Sequence, residues 1–136
     1  MSTGEGRLAA LAILHRSRLL RPAGGPAGLL RLAGVFRRWG LTPAAGYAAQ
    51  AALRPSAPAL VDEAGALTFR EMEERTTALA RGLAERGVGP GVSVALLCRN
   101  HRGFVEASVA TWKLGATTVY LNTSFAAPEL AAVLER

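Results

Sequence analysis

The first clear periodic pattern in the chain lies at residues 29–39, where apolar residues recur at helical spacing and arginines occupy other positions. The apolar positions of this predicted amphipathic helix are Leu29, Leu32, Ala33, Phe36 and Trp39. Gly40 ends the pattern, and Thr42 followed by Pro43 indicates an N-cap and a first-turn proline of a second, alanine-rich helix. Two prolines within residues 54–58 prevent that helix from continuing. The first part of the chain is therefore predicted to be helical.

A small hairpin and a strongly marked helix follow. Short apolar stretches at residues 59–62 and 66–69 flank a turn that contains Gly65, which is typical of a hairpin. Thr68 followed three residues later by Glu71 predicts a capping box at the start of a helix. The apolar face of that helix consists of Phe69, Met72, Thr76, Leu79, Ala80 and Leu83. Gly87 is predicted to end it.

The second half of the chain reads as strand, helix, strand. Residues 92–98 form an apolar run too short to favour a helix, which predicts a strand covered on both faces. A helical face follows, made of Phe104, Val105, Ser108, Val109 and Trp112. Gly115 closes that helix, and residues 117–121 form another β-rich run. The order predicts a βαβ unit with parallel strands and a right-handed crossover, after which Pro128 opens a further helix as its first residue.

These elements predict the α/β class, as an incomplete N-terminal subdomain with a βαβ parallel unit, a small hairpin and flanking helices. The subdomain is expected to be incomplete because two parallel strands leave sheet edges uncovered and are marginal on their own. We divide the chain near residue 55. Residues 1–54 form a basic segment rich in Arg, Leu and Ala, and residues 55–136 form the truncated start of a larger domain.

Charge supports the same division. Residues 1–54 hold eight Arg and Glu5, which gives +7, whereas residues 55–136 hold eight basic and nine acidic residues, which gives −1 and a total of +6. Cys98 is the only cysteine of the 136 residues, so an intramolecular disulfide is excluded and a reducing compartment, the cytoplasm, is expected. The apolar run at residues 8–14 lacks signal-peptide flanks and is too short to cross a membrane.

Residues with catalytic or metal-binding chemistry are sparse. No phosphate-loop motif is present, and neither histidine has carboxylates or Cys at metal-ligand spacing. His101 follows a predicted buried strand at its carboxyl end, so it is either a ligand-contacting residue or a structural loop histidine. Glu71, Glu73 and Glu74 are most simply the solvated first turn of a helix. The residues alone therefore predict no catalytic pair.

Two motifs in sequence order resemble those of a known family. Residues 67–72 (LTFREM) and 112–122 (WKLGATTVYLN) are similar to the first and second core motifs of adenylate-forming acyl-CoA synthetases, the AMP-forming ligase superfamily. The sequence LNTSF at residues 121–125 is similar to a fatty-acyl-CoA ligase branch of that family. The resemblance covers residues 44–134.

The resemblance implies a two-step reaction. ATP and a fatty acid would give an acyl-adenylate and pyrophosphate, and coenzyme A would then accept the acyl group, with ATP, Mg²⁺ and coenzyme A as the ligands of a complete enzyme. The family's phosphate loop, ribose-binding carboxylate and catalytic lysine are expected beyond residue 136, and Lys113, the only lysine, does not match that catalytic residue. We therefore expect no catalytic or metal-binding residue in this chain, and no activity from the chain alone.

Two alternatives stay open. Asn122, Thr123 and Ser124 follow a predicted parallel strand, so they either lie beside the coenzyme A side of the site, as the resemblance allows, or only form a turn. The basic helix at residues 28–39 either docks on the synthetase body or belongs to a non-enzymatic module that contacts a membrane surface or a protein partner, which would place the protein peripherally at the inner face of the membrane. Nucleic-acid binding is not expected, because aromatic residues for stacking are few.

Overall fold

The structure is a computed structural model that describes residues 25–134. The helices of this part of the chain are α1 (Gly25–Trp39), α2 (Pro43–Leu53), α3 (Phe69–Ala84), α4 (Arg102–Lys113) and α5 (Ala127–Leu134). The strands are β1 (Pro58–Asp62), β2 (Gly65–Thr68), β3 (Ser93–Leu96) and β4 (Thr117–Tyr120). The observed order of elements confirms the predicted α/β class, with an antiparallel hairpin and a parallel strand pair.

Helix α1 packs along α2. Thr42 caps α2 by accepting a hydrogen bond from the Ala45 amide at 3.3 Å, and Pro43 is the first residue of α2, as predicted. Leu32 of α1 is buried against Ala49 and Leu53 of α2. The predicted apolar face was wrong in two positions, because Leu29 and Ala33 are exposed. The buried and half-buried residues of α1 are Gly28, Leu32, Val35, Phe36 and Trp39, a single stripe of i, i+4, i+7, i+8 and i+11 spacing.

The hairpin leads directly into α3. Strand β1 pairs antiparallel with β2, with Asp62 opposite Gly65 at the turn. Gly65 has a φ of 101°, a backbone conformation that disfavours residues with a side chain. The predicted second strand extended one residue too far, since Thr68 is the N-cap of α3 and residue 69 is already helical. The predicted capping box is confirmed, with the Thr68 amide donating to Glu71 Oε2 at 2.8 Å and the Glu71 amide donating to Thr68 Oγ1 at 3.3 Å.

The predicted order of strand, helix and parallel strand is confirmed, and the right hand of the crossover stays a prediction. Strands β3 and β4 pair in parallel, from Ser93 opposite Thr117 to Leu96 opposite Tyr120, with α4 between them in the chain. Strand β3 is shorter than the predicted run of residues 92–98, and the prediction of burial on both faces was wrong for the described part of the chain. Ser93 and Ala95 are exposed, because α4 packs on one side of the pair and nothing within residues 25–134 covers the other.

The main core lies where α2, α3 and α4 meet the hairpin. Leu67, Met72 and Val109 are buried together, with half-buried apolar side chains packed around them, namely Tyr47, Ala59, Val105 and Trp112. Beyond β4, Pro128 lies in the first turn of α5 as its second residue, one position later than predicted. Among the described helices, none combines the length and the apolar composition that a membrane crossing requires. Helix α4, which contributes Val109 to this core, also packs against β3 and β4.

Candidate functional site

The carboxyl ends of β3 and β4 form the edge where parallel α/β sheets usually bind ligands. Residues 97–101 follow β3, and residues 121–126 follow β4. The Leu121 amide donates to the Leu96 carbonyl at 3.0 Å, so the parallel ladder continues one residue beyond β4. The rings of Phe104 and Tyr120 lie 5.2 Å apart between centroids and join the first turn of α4 to the end of β4. The two loops therefore leave the sheet side by side.

Asn122, Thr123 and Ser124 form a tight turn after β4. Asn122 Oδ1 accepts a hydrogen bond from the Ser124 amide at 2.9 Å, and the Asn122 carbonyl accepts one from the Phe125 amide at 3.1 Å. This is the local turn that Asn side chains favour. All three residues are exposed. The turn is thus a property of the described structure, whereas proximity of these residues to coenzyme A stays a prediction.

A polar hollow of about 580 Å³ lies beside the end of β3, between the β1–β2 turn and the loop before α4. Arg102 joins its two walls. Its Nε donates to Asp62 Oδ2 at 2.9 Å, its Nη2 donates to Asp62 Oδ1 and to the Gly65 carbonyl, and its main-chain amide donates to Asp62 Oδ2 at 3.1 Å. These hydrogen bonds from Arg102 hold the pKa of Asp62 well below its usual range. Asp62 therefore links the hairpin to the start of α4.

His101 is the N-cap of α4. Its Nδ1 accepts a hydrogen bond from the Gly103 amide at 3.0 Å, and the side chain is exposed at the rim of the polar hollow. Of the two interpretations that the sequence left open, the structure supports a structural role for this ring. A side-chain acceptor at this position satisfies one of the free amides of the first turn. The Nδ1 atom is thereby already used within the chain.

The acidic residues of α3 have separate structural roles. Glu71 belongs to the capping box, and its hydrogen bonds with Thr68 lower its pKa. Glu74 is exposed, as the prediction of a solvated turn requires, but Glu73 is half-buried and forms an ion pair with Lys113. One turn after Glu71, Arg75 pairs with Glu106 of α4. Sequence reasoning did not find the partner of Glu73, because the two residues lie 40 positions apart.

Lys113 is a buried structural tie between α3 and α4. Its side chain is 1% exposed, and its Nζ donates to Glu73 Oε1 at 2.9 Å, Thr76 Oγ1 at 2.9 Å and Thr77 Oγ1 at 2.8 Å. Burial lowers the pKa of the ammonium group, opposed by its hydrogen bond with Glu73. Trp39 of α1 lies over the same group, with the Nζ atom 5.8 Å from the ring centroid. Lys113 is thus enclosed by three helices.

The described residues do not fit a magnesium or nucleotide-phosphate site. Within residues 25–134, no group of three or more His, Cys, Asp or Glu side chains is placed to hold a metal ion. Of the carboxylates in this region, Asp62 is already paired with Arg102 and Glu106 with Arg75. Mg²⁺ needs free oxygen ligands. The chemistry that this part of the chain offers at the sheet edge is therefore capping, turn formation and ion pairing.

Comparison with known proteins agrees with the motifs. The sequence profile of the family described as AMP-binding enzyme matches residues 47–136, which is 90 of the 136 residues. The feruloyl-CoA synthase of an Amycolatopsis species is 40% identical over 81 residues, which cover 60% of this chain and 16% of that protein. The chain thus spans about a sixth of the length of this relative.

Solved structures show the same likeness in three dimensions. A protein described as a long-chain-fatty-acid CoA ligase from Rhodopseudomonas palustris superimposes with a TM-score of 0.66 at 35% identity, over 69% of this chain and 24% of that one. The O-succinylbenzoate coenzyme A synthetase of Bacillus subtilis, in complex with ATP and magnesium ion, has a TM-score of 0.58 at 30% identity, over 74% of this chain and 24% of that one. The chain therefore belongs to the AMP-binding enzyme family, the adenylate-forming acyl-CoA synthetases that its motifs resemble.

Proposed function

We propose that this chain is the N-terminal scaffold of an ATP-dependent fatty-acyl-CoA synthetase. The complete enzyme would join a fatty acid to AMP, release pyrophosphate, and transfer the acyl group to coenzyme A. The observation that carries the proposal is the family match over residues 47–136, which includes both core motifs and the LNTSF loop after β4. The likeness to a long-chain-fatty-acid CoA ligase supports the choice of substrate.

The role of the chain within that enzyme is positioning. Asp62 and Arg102, which line the hollow beside the end of β3, are engaged with each other. Stabilising charge on a reacting phosphate requires unengaged donors, cations or a metal ion. ATP, Mg²⁺ and the reacting carboxylate are therefore expected to contact other parts of the complete enzyme, and the 136 residues alone are expected to be inactive.

The choice of a fatty acid as the substrate needs its own test, because the similar proteins include a feruloyl-CoA synthase and an O-succinylbenzoate coenzyme A synthetase. Exchange of pyrophosphate into ATP, measured with palmitate, ferulate and O-succinylbenzoate, separates these acids. We expect exchange with palmitate from a protein that joins this chain to the family's remaining motifs, and none from the chain alone. Exchange with ferulate only would replace the substrate class, and robust exchange by the 136 residues would refute the scaffold role.

The loop after β4 is proposed to lie beside coenzyme A. Asn122 can be tested in the complete enzyme with Asn122→Gly, which removes the turn-forming side chain at a position where glycine tolerates the turn backbone. We expect a higher KM for coenzyme A and an unchanged rate of pyrophosphate exchange, because that exchange precedes the use of coenzyme A. An unchanged KM in a folded variant would leave these residues as a turn only.

A second candidate function is peripheral membrane contact through residues 28–39. On α1, Leu29 is 59% exposed and Leu30 is 75% exposed, and the helix carries three arginines and no acidic residue. Leucines beside arginines favour an anionic lipid surface. Helix α1 docks on α2 through Leu32 and leaves Leu29 and Leu30 exposed, so docking and membrane contact are compatible. This candidate, like a cytoplasmic location at the inner face of the membrane, is a proposal.

Vesicle flotation of the full chain tests the membrane candidate. We expect recovery with vesicles that contain phosphatidylglycerol and much less with phosphatidylcholine alone. Arg37→Gln on α1 should reduce recovery, whereas the matched control Arg70→Gln, an exposed arginine on α3, should not. Recovery that is independent of anionic lipid, or equally reduced in both variants, would exclude the candidate.

A further inference from the structure

A second hollow, of about 470 Å³, lies along one flank of α1 and shares no lining residue with the polar hollow beside β3. Helix α1 contributes Arg31, Gly34 and Arg38, whose spacing of i, i+3 and i+7 places them on one side of the helix. Helix α2 contributes only small side chains, those of Ala48, Ala51 and Ala52. We call this space the arginine hollow.

Gly34 keeps the space between the two arginines open. A Cβ atom at this position would meet no heavy atom within 4 Å. Arg31 and Arg38 are two helical turns apart, about 10 Å along the helix axis. Because both side chains line the same hollow, a group placed over Gly34 lies between two guanidinium groups. The hollow therefore has room for a ligand that both arginines contact.

The two arginines determine the charge of the arginine hollow. Within residues 25–134, neither Arg31 nor Arg38 forms an ion pair. Glu73 also lines the hollow, but its carboxylate is paired with Lys113 and its Oε2 atom is buried. The carboxylate therefore offsets little of the positive charge that the arginines present. The hollow is suited to an anionic ligand.

The orientation of Arg38 suits an oxyanion. Its Cζ atom lies over the Trp39 ring, 4.7 Å from the ring centroid. A guanidinium group that stacks on an aromatic face keeps its in-plane N–H donors for a ligand. A carboxylate has two oxygens and is filled by one bidentate arginine, whereas a phosphate group has enough oxygens for two arginines. Two arginines that line one space therefore favour a phosphate group.

We propose that the arginine hollow binds a phosphate ester, with Arg31 and Arg38 donating to the phosphate oxygens over Gly34. The same chemical group occurs in soluble phosphate esters and in the headgroups of anionic lipids. The site is separate from the sheet edge and from the proposed synthetase reaction, for which the described residues offer no nucleotide-phosphate site. Only if the ester belongs to a lipid does the site rest on the candidate membrane contact of α1, to which it then gives a defined headgroup position.

NMR of the tryptophan indole N–H groups in the full chain tests the binding of glycerol phosphate. The Trp39 signal should shift saturably because Trp39 lines the hollow, whereas Trp112 packs against the main core and its signal should stay constant. Arg31→Gln and Arg38→Gln should each weaken binding by at least about tenfold, the effect of losing a charge-assisted hydrogen bond. The control Arg70→Gln removes the same charge from an exposed position on α3 and should bind as the wild type does.

Filling the hollow distinguishes a site from a diffuse positive charge. Gly34→Gln occupies the space without changing the charge and should abolish the Trp39 shift. The matched control Gly34→Ala adds only a Cβ atom that meets no neighbour, and it should retain the shift. Absence of a saturable Trp39 shift, equal weakening in Arg38→Gln and Arg70→Gln, or full binding by Gly34→Gln would each overturn the proposal.

Flotation of the two Gly34 variants with phosphatidylglycerol vesicles identifies the source of the phosphate group. Weaker flotation of Gly34→Gln than of Gly34→Ala supports a lipid headgroup as the ligand. Equal flotation, together with loss of glycerol phosphate binding in Gly34→Gln, supports a soluble phosphate ester. In the second case the arginine hollow stands whether or not α1 contacts a membrane.

Discussion

Replacement of Lys113 by methionine is the sharpest test of how this subdomain is held together. The change keeps most of the length and apolar volume of the side chain but removes the ammonium group. In the structure, that group donates to Glu73, Thr76 and Thr77 and so ties the α4 end of the core to α3. Thr76 retains a partner in the variant, because its hydroxyl also donates to the Met72 carbonyl at 2.7 Å. The main loss therefore falls on Glu73.

The expected loss of stability depends on how well the Glu73 carboxylate is solvated or hydrogen-bonded once Lys113 is gone. Removing one partner of a buried ion pair typically costs about 3–5 kcal/mol. The Glu73 side chain is 30% exposed, so water can solvate part of the unpaired carboxylate and the low end of that range applies. Thr77 Oγ1 donates to its Oε1 atom at 3.4 Å, whereas its Oε2 atom lies buried without a hydrogen-bond partner among residues 25–134, so relief from other side chains is partial. We expect Lys113→Met to reduce the free energy of unfolding by about 3 kcal/mol.

Urea unfolding followed by circular dichroism measures this loss in the full chain. The double variant Lys113→Met/Glu73→Leu removes both charges and should recover most of the stability, because a well-packed apolar pair avoids the desolvation of two ions. Glu74→Gln, at an exposed neighbouring position, is the control and should change stability by less than about 0.5 kcal/mol. A loss below about 1 kcal/mol in the single variant, or equal losses in the single and double variants, would refute the argument.

Three further predictions concern the hairpin, the helix start and a turn. Thr68→Ala should lower the free energy of unfolding by about 1 kcal/mol in urea titrations, because the capping box of α3 is lost. The lowered pKa of Asp62 means that its pair with Arg102 stabilises the fold above about pH 4 and is lost as pH falls, so the decrease in stability from pH 5 to pH 3 should be smaller in Arg102→Met than in the wild type. Equal decreases would contradict this. Gly115→Ala should cost about 1 kcal/mol by thermal unfolding, since φ is 66° there; an unchanged melting temperature would show that the turn adapts.

The elements that were predicted correctly depend on residues close together in the chain. The capping box of Thr68 and Glu71 and the N-cap at Thr42 each span only four residues, so their signals are complete within the sequence. The parallel βαβ unit was predictable for a related reason. A helix between two short β-rich runs almost always connects parallel strands of one sheet through a right-handed crossover.

Predictions that depended on packing partners were less accurate. The buried stripe of α1 is rotated away from Leu29, because the stripe is set by where α2 lies and a helical pattern alone leaves its edges undefined. Strand β3 is exposed on one side, since burial on both faces requires elements that residues 25–134 do not contain. Periodicity indicates that a face is apolar, but it does not indicate how much of that face is covered.

In the candidate site, too, the sequence predicts local features and the folded chain decides the contacts. From the sequence, His101 and Asn122 could be placed after the ends of two parallel strands, because strand order follows from the βαβ pattern. Only the folded chain decides that the His101 ring caps α4 and that Asn122 closes its own turn. The backbone of His101 is extended, with φ −158° and ψ 176°, and its ring accepts a hydrogen bond from the Gly103 amide two residues later.

By itself, the sequence determined the order of the elements, the N-caps of α2 and α3 and the family, because these depend on local hydrogen bonds, on periodicity and on motifs in series. Only the tertiary structure decided the charge pairs that join those elements: Asp62 with Arg102 and Glu73 with Lys113 are each 40 residues apart, and Arg75 with Glu106 is 31 apart. Ion pairs between distant residues do not recur at a characteristic sequence spacing, so a sequence pattern does not reveal them. They form because packing of the helices and the hairpin brings oppositely charged groups within reach in a partly dry environment, where leaving either one unpaired is costly.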